Sequence, residues 1–447
     1  MQSKLFFMLF LFCVQIVCAQ EGFYFDSNKN RISIPFQFIN NLIIIPVKVN
    51  GVSMNFLLDT GVEDTILFSL DETDEVSFSK VEKIKIRGLG SDDSFDGYKS
   101  IHNKVVINNY TDLNHDIYLV LDQNINISAQ AGFPVNGIIG YHFFKNNVVK
   151  INYASKRIIV YKNEAKELKK INKNYVKLPL EFIQNKPYIT CQSYFENQQN
   201  PVASKLLLDS GNSDALWFFK QNEERISIPK LNIVDYLGRG FSGDVYGKRG
   251  KIQSLAINNF KFSNPIASFP DSLATTSVDR NTGRVGSVGS EIMRRFTVVF
   301  DYKSNAVYLK KNGHFDDPFT INMSGIEIQH KGLQWISEGY EENPSINNNL
   351  FNANGDKVVN NLKYRFELKP VYVITNIRKN SPAEIVGLQK EDVIVKIDSK
   401  NGYNYSLQQI NELLKSEDGK IIEFEIDRNG KILKFKVQLK DVLLLLP

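Results

Sequence analysis

At 447 residues the chain is too long for one ordinary hydrophobic core, and at about 100 to 200 residues per domain it should form about three. Its apolar fraction of 43% is that of a globular protein. A net charge of +5 spread over 54 basic and 49 acidic side chains, with no basic run, argues against a nucleic-acid partner.

Lys4 precedes an unbroken apolar run from Leu5 to Val14, and Val17-Cys18-Ala19 then offers small or β-branched residues at cleavage positions. This predicts a signal peptide over residues 1–19, cut after Ala19, and export to a periplasmic or extracellular compartment. The run is too short to span a bilayer. Cys13 follows Phe12 and Cys18 follows Val17, so neither has the small preceding residue of a lipoprotein signal, and lipid anchoring is not expected. Removing the leader leaves Cys191 as the last thiol, without an intrachain disulfide. It lies in the alternating stretch Tyr188 to Gln192, which predicts a buried strand position.

The chain then repeats itself. Phe56-Leu57-Leu58-Asp59-Thr60-Gly61 returns as Leu206-Leu207-Leu208-Asp209-Ser210-Gly211, an offset of 150. Gly88-Leu89-Gly90 returns as Gly238-Arg239-Gly240 at 150, and Gly137-Ile138-Ile139-Gly140 as Gly286-Ser287-Val288-Gly289 at 149. Three landmarks in one order at one spacing define a duplicated unit over about residues 30–311. Short alternating or apolar runs, among them Leu42 to Val49, Val105 to Ile107 and Arg157 to Tyr161, predict a barrel-like β lobe for each copy. Glu291 to Phe296 is one of the few helical patterns.

An apolar strand that stops at Asp-(Thr/Ser)-Gly puts a carboxylate in a turn, where the glycine permits close approach and the hydroxyl can bond across to a partner loop. Alone, each tripeptide reads as an ordinary turn. Two such loops face to face would bring Asp59 and Asp209 within reach of one proton, so that one carboxyl activates water while the other hydrogen-bonds a substrate carbonyl.

Leu57-Leu58-Asp59-Thr60-Gly61-Val62-Glu63-Asp64-Thr65 resembles the active-site segment of the retropepsin-like aspartic proteases. Pro134 to Gly140 is similar to the apolar-apolar-Gly element that supports their catalytic loop. The resemblance implies Asp59 and Asp209 as the catalytic pair, Thr60 and Ser210 as interlobe hydrogen-bonding residues, and Gly61 and Gly211 as the floor. It also implies that Glu63 and Asp64 contact substrate backbone, and that Gly88, Leu89, Gly90 and Gly238, Arg239, Gly240 belong to flaps. The alternatives are a solvated turn for Glu63 and Asp64 and ordinary hairpins for the glycine loops. Val62 and Asn212 stand where the family prefers a small residue. Both lobes lie in one chain, so the site is expected to assemble in a monomer.

After Lys311 the pattern changes. Ser381-Pro382-Ala383 to Gly387-Leu388, then Glu391-Asp392-Val393-Ile394, resembles bacterial PDZ domains, with Leu407 to Leu414 as a helix flanking a peptide groove. The fold expected is therefore mainly β: two pseudo-symmetric acid-protease β-barrel lobes at 30–163 and 174–311, followed by a small α/β PDZ domain at 318–441. Ser324 to Ile328 would supply its first strand, and Glu338 to Val359 an insertion. Such a domain binds a peptide or chain terminus as an added strand; the alternative is a small domain that only packs on the lobes.

The expected function is an exported aspartic endopeptidase acting on a peptide or protein substrate, with no cofactor and no metal. The five histidines show no His-x-x-x-His spacing. The alternative is a catalytically idle peptide-binding protein that uses both folds for recognition.

Overall fold

The computed structural model describes residues 22–26, 28–70, 75–86, 95–120, 127–162, 164–196, 198–240, 243–272, 282–341 and 362–444. The chain is mainly β, and its described strands form four sheets. The strand Leu42–Val49 buries Ile43, Ile44, Ile45, Val47 and Val49, and it pairs antiparallel with Val52–Leu58, which buries Met54, Phe56, Leu57 and Leu58. Runs this apolar and β-branched suit strands covered on both faces.

Two large sheets repeat one plan. In the first half, Gly137–Ile139 lies parallel to Val52–Leu58 in the register Gly137↔Phe56, and antiparallel to Thr65–Leu67. In the second, Gly286–Val288 lies parallel to Val202–Leu208 in the register Gly286↔Leu206, and antiparallel to Leu216–Phe218. A six-stranded sheet joins the halves, its seam formed by Val148–Asn152 against Phe296–Asp301. One hydrophobic core runs through both halves, from Phe23 to Phe315. This shared sheet and core fix one lobe against the other.

The connection between the halves is a helix, Glu164–Asn174, which the sequence reading passed over. Its signals are present: Glu164 and Glu167 in the first turn, Lys173 in the last, and Leu168, Ile171 and Tyr175 packed at helical spacing.

The C-terminal sheet runs in the order Ile326–Glu341, Leu362–Ile377, Val393–Ile397, Ile421–Arg428, Lys431–Gln438, so Ile326–Glu341 is its edge. A capping box at Ser406 starts the helix Leu407–Leu413. The sequence placed an insertion at 338–359, but the strand continues to Glu341 and pairs with Leu362, so 338–341 extend a hairpin and 342–359 lie outside the described residues. Trp335↔Leu368 and Ser337↔Phe366 share one face of that hairpin, where Trp335, Phe366 and Leu368 are exposed.

This domain docks on both lobes. Ile266 of the second lobe joins its core, and Lys251 pairs with Asp441 at 3.4 Å. From the first lobe, Gly132 lies directly against Leu407, and Asn411 donates to Asn40 at 3.2 Å.

Candidate active site

Each strand that leads into an aspartate ends where its parallel partner captures the next backbone amide. Asp59 N–H donates to Ile139 O at 2.9 Å, and Asp209 N–H donates to Val288 O at 3.0 Å. The chain then turns under its own lobe, and glycine is required at the crossing. A Cβ on Gly140 would sit 2.2 Å from Val62 O, and one on Gly289 would sit 2.1 Å from Asp214 O. These are backbone atoms that cannot swing aside. The Gly-x-x-Gly elements found in the sequence are thus supports for the Asp59 and Asp209 turns.

Between the lobes, Thr60 and Ser210 make a reciprocal set of four hydrogen bonds. Thr60 N–H donates to Ser210 Oγ at 2.9 Å, and Ser210 N–H donates to Thr60 Oγ1 at 3.0 Å. Thr60 Oγ1–H donates to Leu208 O at 2.6 Å, and Ser210 Oγ–H donates to Leu58 O at 2.8 Å. Both residues are wholly buried. Every hydroxyl there both donates and accepts across the lobe boundary, so the two turns are locked face to face.

Above this lock the two carboxyls hydrogen-bond each other. Gly61 N–H and Gly211 N–H both donate to Asp59 Oδ1, at 2.7 and 3.2 Å. A Cβ on Gly211 would lie 2.2 Å from Asp59 Oδ2, so this glycine lets the carboxyl settle on the backbone. Burial pushes the Asp59 carboxyl above its ordinary value, the neighbouring charge of Asp209 pushes it further, and the Gly61 and Gly211 amides pull against both. Burial also raises Asp209, opposed by the Arg284 guanidinium and by the hydrogen bond from Asp59. Two buried carboxyls in contact share one proton, and the Arg284 guanidinium favours the charge on the Asp209 side.

Arg284 escaped the sequence reading. It lies two residues before the second supporting strand, donates from Nε to Gly286 O at 3.0 Å, and stacks over Phe219 at 5.1 Å from the ring centroid. At the matching position of the first lobe, offset 149 places Val135.

The remaining expected site residues divide. Glu63 accepts from Asn185 of the second lobe at 2.8 Å, so it ties the lobes together. Its pseudo-symmetric counterpart is Ser213, whose carbonyl accepts from Asn41 of the first lobe at 3.0 Å. Asp64 is half-buried, and burial followed by the charge of Glu63 raises its carboxyl above the usual range. Asn212 Oδ1 accepts from Asp214 N–H at 3.0 Å, and Val62 O accepts from Tyr141 N–H at 3.1 Å; both residues shape the turns. Gly238 and Arg239 lie on a hairpin of Asn232–Gly240 with Gly243–Lys251, with Gly240 pairing Gly243. Gly238 has φ +138, a conformation natural to glycine, beside a register shift. Arg239 pairs with Asp244 at 3.1 Å across the hairpin. Gly88, Leu89 and Gly90 lie outside the described residues.

Asp214 anchors the second turn. It accepts from Arg249 at 2.6 Å, Trp217 Nε1 at 2.7 Å and Ser268 Oγ at 2.9 Å. Burial alone would raise its carboxyl, but Arg249 and these donors hold it below the ordinary range. Trp217 in turn packs under Leu237 and Val245 of the hairpin. The segment Asn212-Ser213-Asp214 thus retains one of the two acids of the first lobe and gives it a buried partner. Among the described residues, no group of three or more His, Cys, Asp or Glu converges as metal ligands.

Residues 373–428 match the family model of the PDZ domain. The chain is therefore a mainly β protein carrying a C-terminal PDZ domain. It is 33% identical over 75 residues to a protein of Staphylococcus haemolyticus named "Probable CtpA-like serine protease", covering 16% of this chain and 15% of that one. It is 24% identical over 154 residues to a protein of Borreliella burgdorferi named "Putative zinc metalloprotease", covering 32% of this chain and 35% of that one. The chain thus spans well under half the length of these relatives. A solved aspartic proteinase from Irpex lacteus superposes over 64% of this chain and 99% of its own at a TM-score of 0.40 and 12% identity, a likeness too loose to bear on chemistry.

Proposed function

We propose that the chain is an exported aspartic endopeptidase whose active site is the pair Asp59 and Asp209, with the PDZ domain holding a peptide or chain terminus. One observation carries the reading: a fully buried, reciprocal Thr60–Ser210 lock holds two carboxyls in hydrogen-bonding contact between two lobes of one chain. Two buried carboxyls that share a proton are costly to a fold and useful to hydrolysis.

The chemistry follows from the unequal pair. Asp209 takes a proton from water as the water oxygen adds to the scissile carbonyl carbon, and Asp59 gives its proton to the carbonyl oxygen. The resulting diol returns a hydroxyl proton to Asp59 as the carbonyl re-forms. In that same step the C–N bond breaks and Asp209 hands its proton to the departing nitrogen. No covalent enzyme intermediate forms, and both carboxyls end as they began. The Gly61 and Gly211 amides keep Asp59 oriented throughout.

The proposal includes cleavage of residues 1–19 as a leader, and assembly of the site without a second copy. Its test is incubation of the exported chain, its N-terminus sequenced, with a mixed peptide library from acidic to neutral pH. Internal peptide bonds should be cut by a chain beginning at Gln20. Peptide binding without turnover at every pH would instead favour the idle recognition protein.

A further inference from the structure

The strongest feature outside the dyad is a line of buried charges that leaves the second catalytic turn, crosses the Gly238–Gly243 hairpin and enters the PDZ domain. It begins at Asp214, five residues after Asp209. Arg249, on the strand Gly243–Lys251, bonds Asp214 Oδ1 at 2.6 Å and Asp235 Oδ2 at 3.1 Å, and Asp235 lies on the partner strand of the same hairpin. The other oxygen of Asp235 faces Arg378 Nη1 at 3.8 Å. The side chains are 15% exposed for Arg249, 17% for Asp214, 11% for Asp235 and 5% for Arg378, so water screens the line poorly.

At its far end the line reaches the turn that opens the PDZ edge strand. Arg378 donates from Nη1 and Nη2 to Asn322 O at 3.2 Å each, and its backbone N–H donates to Gly325 O at 2.7 Å. Asn322 Oδ1 accepts from Ser324 N–H and Gly325 N–H at 3.1 Å each, and Asn322 Nδ2 donates to Ile326 O at 2.7 Å. Two residues further, Glu327 feels Asp235, Arg249, Lys415 and Arg378 together; burial first, and Asp235 second, push it up to about 7. Ile326–Glu341 is the edge strand of its sheet, the position where an added peptide strand pairs.

We infer that Arg378 of the PDZ domain is a positioning residue for the proposed peptidase site, setting the Asn232–Lys251 hairpin and the Asp214 turn through Asp235 and Arg249. The inference rests on the peptidase reading for its kinetic consequence and on geometry alone for its structural one.

The test uses the full chain carrying Trp335→Phe, an exposed position, which leaves Trp217 as the sole tryptophan because the sequence holds two. Trp217 bonds Asp214 and so reports on the lobe-two end of the line. Arg378→Gln should speed hydrogen exchange in the strand Gly243–Lys251 by about tenfold or more and shift Trp217 emission, with Arg378→Lys restoring part of both. Where turnover is measured, KM should rise by roughly tenfold, within the 5–150-fold range of coupling between sites, and kcat should change less. A purely structural Arg378 would quicken exchange only within the PDZ strands, leaving the hairpin and Trp217 as they were; that result overturns the inference. If Arg378→Gln does not fold, Asp235→Asn removes the same link from the other side, and an unmoved Trp217 there overturns it equally. Exchange and emission need no turnover, so loss of the peptidase reading leaves this outcome decidable.

Discussion

Lys99 of the first lobe and Arg249 of the second stand 150 residues apart, and each faces the acid five places after its lobe's aspartate, Asp64 or Asp214. From that shared position the lobes diverge. Lys99 is 32% exposed and passes its charge to Asp116 at the surface, 40% exposed, at 2.9 Å. Arg249 is half as exposed, holds two carboxylates and leads on to Arg378 of the PDZ domain. A lysine can hold one partner as a point charge, whereas the guanidinium fork can bridge two acids in fixed geometry. The same position therefore serves as a local surface pair in one lobe and as a domain junction in the other.

The contrast breaks most sharply under charge removal. Arg249→Met leaves Asp214 buried without its cation and Asp235 with Arg378 alone, and should cost about 3–5 kcal/mol of stability in urea unfolding. Lys99→Met should cost about 1 kcal/mol or less, since its pair is solvated. Equal losses would erase the distinction between the lobes. The supporting glycines should show the opposite, a symmetry. Gly140→Ala and Gly289→Ala each drive a Cβ into a backbone oxygen, at 2.2 and 2.1 Å, and each should cost about 1–3 kcal/mol or more. A tolerated alanine at either glycine contradicts the matched turns.

The subtlest asymmetry is Arg284, present beside Asp209 where the matching position of the first lobe holds Val135. Its charge favours the Asp209 anion, so Arg284→Gln lets Asp209 keep its proton to higher pH. The general base is then lost earlier as pH falls, and the acid limb of kcat/KM against pH should move upward. The alkaline limb, set by loss of the proton from Asp59, starts from a carboxyl already raised by burial and by Asp209, so activity should extend toward neutral pH. An acid limb unmoved by Arg284→Gln would remove that residue from the account.

Much of the central architecture was legible in the sequence because it repeats. Apolar strand, aspartate, hydroxyl residue and glycine recur with their Gly-x-x-Gly supports, and the structure brings Asp59, Thr60, Gly61, Asp209, Ser210 and Gly211 together. The mainly β fold followed from short alternating runs, and the PDZ domain from the Ser-Pro-Ala and Gly-Leu segments. Side chains whose roles depend on docking were not legible. Arg378 meets Asp235 across 143 residues of chain, and no local pattern encodes that contact. The bond from Asn185 to Glu63 was not legible either, because only the folded pair of lobes brings the two together. Lys99 and Arg249 were within reach of the repeat, since both are basic at the offset already in hand, but a charge at one spacing is a weak signal until its partners are seen.

The most direct measurement is kcat/KM on one peptide identified from the library, for the unchanged chain beside Asp59→Asn and Asp209→Asn. Removing the acid or the base of a proton-sharing pair should lower the rate by about a hundredfold to ten-thousandfold in each variant, with folding intact by circular dichroism. Turnover near the unchanged rate in either variant would contradict the assignment of catalysis to Asp59 and Asp209.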